Sequence, residues 1–361
     1  MGDKINFSDI FKKHKEEDSF SGVGISFSRI KQEKPEEAKK EPPREDKISF
    51  SSTAGQQSKN ENTPFDSALY SDAVALSRKI YGAELEESVI MPSINSLIER
   101  IVESIDSQNS KEMLLKAVLA GYTQPEDFLY YHVVNVCIIS ILLAKVLNYN
   151  SSELVELGAA AIFHDIGLSR YRDIISQPRR LNLHEYNKVK EHVVTGMEIL
   201  EKIRPQPGGH VFEVINQEHE RFDGSGYPRG IENGNISEYA QIVGLSDVYE
   251  AMIHVRPYRD KYSPLEAIKM ILGSKKTFDN KLVKVLIEEI GIFPMGTFVR
   301  LNTKEIGEVI KGNAALPLRP LVKIQLDSSG RRLNSTRQIN LADSPTVYIM
   351  EVVSSPTDKD A

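Results

Sequence analysis

The spacing of apolar residues divides this chain of 361 residues into three stretches. Residues 1–64 hold few large apolar side chains among Lys, Glu, Ser and Pro. Such a segment cannot bury enough surface to offset chain entropy, so a disordered tail is expected. From about 65 to 290 the period is helical, with apolar stripes over 67–80, 85–105, 111–119, 126–147, 152–162, 183–203, 236–253 and 264–272. Asn182 with Glu185 has the form of a capping box opening the helix that carries His192. Ser263-Pro264 sets a cap and a first-turn proline at another start. After about 291 the runs become short and alternating: 297–301, 305–310, 321–326, 337–341 and 346–353 predict a small β module of about five strands. The expected fold is mainly α. A helical extension at 65–120 leads into a helical domain at 121–290, then the β module at 291–353 and a disordered C-terminus at 354–361.

Composition narrows the function classes. A formal net charge of −6 argues against a generic surface for nucleic acid polymers. The single cysteine, Cys137, excludes an intrachain disulfide, fits a reducing cytoplasm and falls in an apolar stripe as a small core residue. The first residues are charged, without an apolar leader pattern, and Asn6 stands where a myristoylation signal needs Ser or Thr. The most apolar run, 133–147, is shorter than the ~20 residues of a membrane span and reads as a buried helix. A cytoplasmic protein without a membrane span is expected.

Within the tail a short pattern recurs as Ile5-Asn6-Phe7-Ser8, Ile25-Ser26-Phe27-Ser28 and Ile48-Ser49-Phe50-Ser51, at intervals of 20 and 23 residues. These intervals are too short for folded repeats. The pattern reads either as a linear motif that docks on a partner protein by strand addition or as chance similarity in biased composition.

The candidate chemistry lies in the helical region. His132, His164, His192, His219 and Asp247 follow one another at intervals of 32, 28, 27 and 28 residues. A helix of ~11–12 residues with its connection is about half such an interval, so each step returns the chain to the same end of a bundle. Ligands spaced in this way are able to converge on one point. Asp165, adjacent to His164, is placed to bridge two metals. An imidazole and carboxylate shell suits Fe, Mn or Zn better than Mg or Ca. His14, His184, His210 and His254 are assigned no role, His210 being placed in a loop after Gly208-Gly209. The run Glu218-His219-Glu220-Arg221-Phe222-Asp223-Gly224-Ser225-Gly226-Tyr227-Pro228 joins ligand positions to a glycine-proline turn.

These residues, together with His132-Val133-Val134-Asn135-Val136, His164-Asp165-Ile166-Gly167, His192 with Gly196, Asp247-Val248-Tyr249-Glu250-Ala251 and Arg256-Pro257-Tyr258-Arg259, resemble the HD-GYP family of HD-type metal-dependent phosphohydrolases over roughly 115–275. The resemblance implies an HD-type helical bundle holding two or three metals. It also implies hydrolysis of cyclic di-GMP to pGpG, and in some members to GMP, in bacterial signalling. Position by position, His132, His164, Asp165, His192, His219 and Asp247 match the family's metal ligands, and Arg256 and Arg259 match basic residues set against substrate phosphates. Three positions depart from the pattern. Glu218 replaces a histidine, so that metal ligand is a carboxylate or is lost, and Leu168 replaces a lysine, with Arg170 and Arg172 the cations to compensate. Phe128 stands where three-metal members carry a glutamate, which favours two metals.

The expected mechanism places the scissile phosphodiester on two divalent ions bridged by Asp165, with His164 and Asp165 as the central pair. Arg256 and Arg259 are expected on the phosphate oxygens, and Asp223, Gly226, Tyr227 and Pro228 along the pocket entrance. The alternative is a catalytically weak cyclic-dinucleotide receptor or scaffold. The 65–120 helices are expected to serve packing or homodimer formation.

Overall fold

A computed structural model describes residues 65–120, 127–274 and 277–353 of the chain. The tail with its three repeats and the final eight residues lie outside them.

The core is built around α4 (Phe128–Val146), whose residues are apolar on every face and almost all buried. A helix of that kind must be covered all round. It is covered by α1 (Phe65–Tyr81), α5 (Ser151–Phe163), α10 (Glu238–Ile253) and α12 (Asn280–Ile290), with α2 (Glu87–Asp106) and α3 (Gln108–Ala120) completing the packing. The helix is 19 residues long, longer than the apolar run suggests, and it passes the length and hydropathy test for a span. Burial accounts for its apolarity, since 83% of its most apolar window is enclosed by the other helices. The extension α1–α3 packs on α4 and α5 of the same chain.

Short helices complete the bundle: α6 (Arg172–Ile175), α7 (Leu183–Val189), α8 (His192–Leu200), α9 (Gly209–Gln217) and α11 (Pro264–Gly273). Asn150 with Glu153, Asn182 with Glu185, and Ser263 with Glu266 each form a complete capping box at the start of α5, α7 and α11.

Two expectations are corrected. The single stripe at 183–203 is two helices, so the Asn182 cap opens α7 and not the helix of His192. In an unbroken helix the Val189 carbonyl would accept from the Val193 N–H. Here the His192 ring takes that carbonyl, and the Val193 N–H turns to Lys190 O at 3.5 Å. The periodicity survives because Lys190 and Glu191 stay near helical dihedrals. His210, placed in a loop from its glycine neighbours, lies in the first turn of α9 and stacks on Tyr239.

The C-terminal module is one antiparallel sheet of β1 (Phe298–Leu301), β2 (Ile306–Lys311), β3 (Leu321–Leu326), β4 (Arg332–Asn340) and β5 (Ile349–Val353), in the order β4-β3-β2-β1-β5. Alternate residues of β1 and β3 are buried, as expected of strands with one packed face.

Candidate metal centre

The α4–α5 turn is tight, so the start of α4 and the end of α5 lie at one end of the bundle. His132 is in the second turn of α4, and His164 and Asp165 follow the last turn of α5. The next turn, residues 166–170, must pass close to α8. A Cβ on Gly167 would lie 1.9 Å from His192 O, so only glycine permits the approach. His192 opens α8, Glu218 and His219 follow α9, and Asp247 lies within α10.

These side chains meet at Asp165. His132, His164 and Asp165 form one group, and Asp165, His192, Glu218 and His219 form another, each with its ligand atoms within 4.8 Å of one another. Asp165 Oδ2 lies 3.5 Å from His132 Nε2 and 3.4 Å from His164 Nε2, while Oδ1 lies 3.5 Å from His192 Nε2. One carboxylate thus presents one oxygen to each group. Asp247 Oδ1 is 3.1 Å from His132 Nε2, joining the first group. In the second, Glu218 Oε1 is 3.2 Å from His219 Nε2, which is 3.1 Å from His192 Nε2.

The outer ring nitrogens are occupied. His164 Nδ1 and His192 Nδ1 each meet a carbonyl three residues back, Ala161 O and Val189 O, at 2.7 Å. Carbonyls in a last helical turn lack main-chain partners, and an imidazole N–H satisfies them. The bond leaves Nε2 as the atom facing the cluster. His132 Nδ1 bonds Glu250, which also accepts from Arg256 Nη2 (2.9 Å) and Asn135 Nδ2 (3.0 Å).

His164 Nε2 and both Glu218 oxygens are buried without a hydrogen-bond partner. Buried polar atoms left unsatisfied in one cluster fit a bound cation. The electrostatics agree. Burial raises the Asp165 carboxyl, but His164, His132 and His192 outweigh it and hold the group well below the usual range. Burial, reinforced by Asp165 and Asp247, drives Glu218 well above that range. Burial lowers His164, yet Asp165 and Glu218 carry it to about 9. Four imidazoles and three carboxylates converge on one buried point, and that donor set is that of a divalent-metal site.

The glycine-proline loop folds back on this centre. Tyr227 stacks on the His219 ring with centroids 4.5 Å apart, and Lys190 Nζ stands 4.7 Å from the Tyr227 centroid. Glu220 holds the loop by accepting the N–H groups of Arg229 (2.7 Å) and Ile231 (2.9 Å). Gly226 passes so near that a Cβ would lie 2.4 Å from His219 O. Pro228 is exposed beyond Tyr227, and the exposed Asp223 accepts Ser225 N and Oγ.

The two arginines are both engaged by groups of the fold. Arg256, expected on substrate phosphates, is buried against Glu250 and over the Phe128 ring. Arg259 donates to the carbonyls of Ala251, Met252 and Asp260, closing the end of α10. The motif reveals two cations but not the buried carboxylate and helix-end carbonyls that claim them. Arg172 does not replace the missing lysine, because it lies over Tyr130 and donates to Tyr81 O.

Sequence reasoning quoted Asn135 and Glu250 within motifs without giving them a role, and gave His254 none. His254, assigned no role, is buried 2.9 Å from Glu250 Oε1. The signal was present as polar residues at helical spacing inside apolar helices: His132 with Asn135, and Asp247 with Glu250 and His254.

Residues 118–282 match the HD domain family, and residues 298–360 match the KOW domain associated with HD domain. The chain is 29% identical over 266 residues to a cyclic di-GMP phosphodiesterase of Pseudomonas aeruginosa, covering 70% of this chain and 64% of that one. It is 25% identical over 216 residues to the cyclic di-GMP phosphodiesterase PdeB of Borreliella burgdorferi, covering 59% and 56%. The matched part is thus less than two thirds of each relative. Among solved structures, an HD-GYP-type protein of Bdellovibrio bacteriovorus shares the fold, with a TM-score of 0.51 at 16% identity over 63% of this chain and 73% of that one.

Proposed function

We propose that the chain, whose residues 118–282 match the HD domain family, is an HD-GYP-type metal-dependent phosphodiesterase acting on cyclic di-GMP. The observation that carries the reading is Asp165, with one oxygen toward His132 and His164 and the other toward His192. Two divalent ions, Fe or Mn before Zn, fit that division. One would be held by His132, His164 and Asp247, the other by His192, Glu218 and His219, with Asp165 common to both. The relatives named as cyclic di-GMP phosphodiesterases support the substrate.

When bound, such ions supply Lewis acidity and a water that deprotonates near neutral pH. The chain does the positioning. The outer bonds of His132, His164 and His192 fix the ring orientations. The Tyr227 ring lies against His219 beside the centre, and Lys190 over that ring supplies positive charge to an approaching phosphodiester. With Arg256 buried on Glu250, Arg259 engaged by main-chain carbonyls and Leu168 in place of a lysine, fewer cations surround the phosphate than the motif suggests. One lost electrostatic donor typically costs ~10²–10³ in rate, so a slow enzyme is expected.

The test is to incubate the Mn- or Fe-loaded protein with cyclic di-GMP and follow pGpG and GMP. Product dependent on the metal is the expected result. Tight binding without product would replace the enzyme by a receptor, and neither binding nor product would remove the substrate assignment.

A further inference from the structure

Helix α1 precedes the stretch that matches the HD domain family, yet its Tyr70 is bonded into the support of His132. Tyr70 Oη donates to Asn135 Oδ1 at 2.7 Å, and Asn135 Nδ2 donates to Glu250 Oε1 at 3.0 Å. Glu250 Oε2 in turn meets His132 Nδ1 and accepts from Arg256 Nη2. Four side chains from α1, α4 and α10 therefore stand in series, ending on a residue of the metal cluster.

The direction of these bonds is forced. Glu250, when ionised, only accepts, so Asn135 must turn its NH₂ toward it. Arg256 Nη2 and His254 Nδ1 each face the Glu250 carboxylate at 2.9 Å, so it meets donors on both oxygens. The Asn135 oxygen then faces Tyr70, and a phenol O–H is the donor it meets. Asn135 and Glu250 are both fully buried, so bulk water does not replace a lost member.

We propose that Tyr70 is a positioning residue for the metal centre, fixing the Asn135 amide so that Glu250 stays on His132. The proposal rests on reading the cluster as a metal centre. Without the phenol oxygen the amide oxygen loses its donor, and an overturned amide sets acceptor against acceptor at Glu250. The carboxylate then shifts and His132 loses its outer partner. Loss of such a partner typically weakens metal affinity ~10–100-fold.

The experiment is Mn²⁺ titration of the full chain by calorimetry, comparing wild type, Tyr70→Phe, Glu250→Gln and the double variant. Tyr70→Phe is expected to weaken one Mn²⁺ equivalent at least ~10-fold and leave the other unchanged. In the Glu250→Gln background it should add nothing, because a glutamine amide accommodates either orientation of Asn135. A purely structural role for Tyr70 would multiply the two effects. Unaltered Mn²⁺ binding in Tyr70→Phe, or multiplied effects, would overturn the proposal. Wild type that takes up no Mn²⁺ would remove the metal reading and this one together. If Tyr70→Phe does not fold, Asn135→Leu carries the same prediction.

Discussion

The two groups that share Asp165 are built differently. On one side His132 is backed by a buried chain of side chains, His164 is bonded to its own helix end, and Arg256 and His254 balance Glu250. On the other, His192 has its carbonyl and His219 its tyrosine, but Glu218 is buried with neither oxygen hydrogen-bonded. The first side has its rings tethered from outside and leaves one inward atom, His164 Nε2, without a hydrogen bond. The second contains a whole buried carboxylate without a hydrogen bond, which a bound cation would satisfy. The difference separates ligands that wait in place from one whose burial depends on what it binds.

Removing the shared element should erase the distinction. His164→Ala with Asp165→Ala is expected to abolish metal binding and turnover, measured as bound Mn²⁺ and as pGpG released. Retained activity in that protein would contradict the assignment of both groups.

Glu218→Gln should sharpen the comparison by moving two observables in opposite directions. Replacing a buried carboxylate crowded by Asp165 and Asp247 relieves repulsion in the metal-free protein. Its melting temperature should rise, by about 2–4 °C for each kcal/mol relieved. Mn²⁺ affinity on that side should fall at the same time. A lower melting point without metal would mean that Glu218 is satisfied in a way the geometry does not show.

Gly226→Ala acts on the same side through packing. The added methyl must displace the main chain at His219 and Glu220, at a cost of about 1–3 kcal/mol of the kind seen on overpacking. Tyr227 would loosen from His219, so thermal stability and Mn²⁺ affinity should drop together.

The smallest effect lies outside both groups and calibrates them. Arg179 and the Asn182 N–H hold half-buried Glu185 down to about 2. A carboxyl lowered in the folded state adds stability above its unfolded value near ~4.3, lost as pH falls toward 2. An NMR titration of Glu185 should show a midpoint near 2 and fraying at the start of α7 across that interval. A midpoint near ~4.3 would show the capping box to be absent in solution.

Much of the centre was legible because it depends on spacing. Regular intervals brought His132, His164, His192 and His219 to one end of the bundle, and the adjacency of Asp165 to His164 placed the shared carboxylate. The β module was legible from its alternation. What escaped depends on partners distant in sequence. The break before His192 arises because a side chain takes a main-chain acceptor. Arg256 was visible as a cation, but Glu250, which holds it, was hidden in an apolar helix. Tyr70 lies 65 positions from Asn135, and no local pattern links them.

The most direct test of the shared carboxylate is electron paramagnetic resonance of the protein saturated with Mn²⁺. Two ions per chain with a magnetically interacting spectrum are expected, replaced in Asp165→Ala by weakly held, isolated ions. A saturated wild-type spectrum of isolated Mn²⁺ alone would contradict the account.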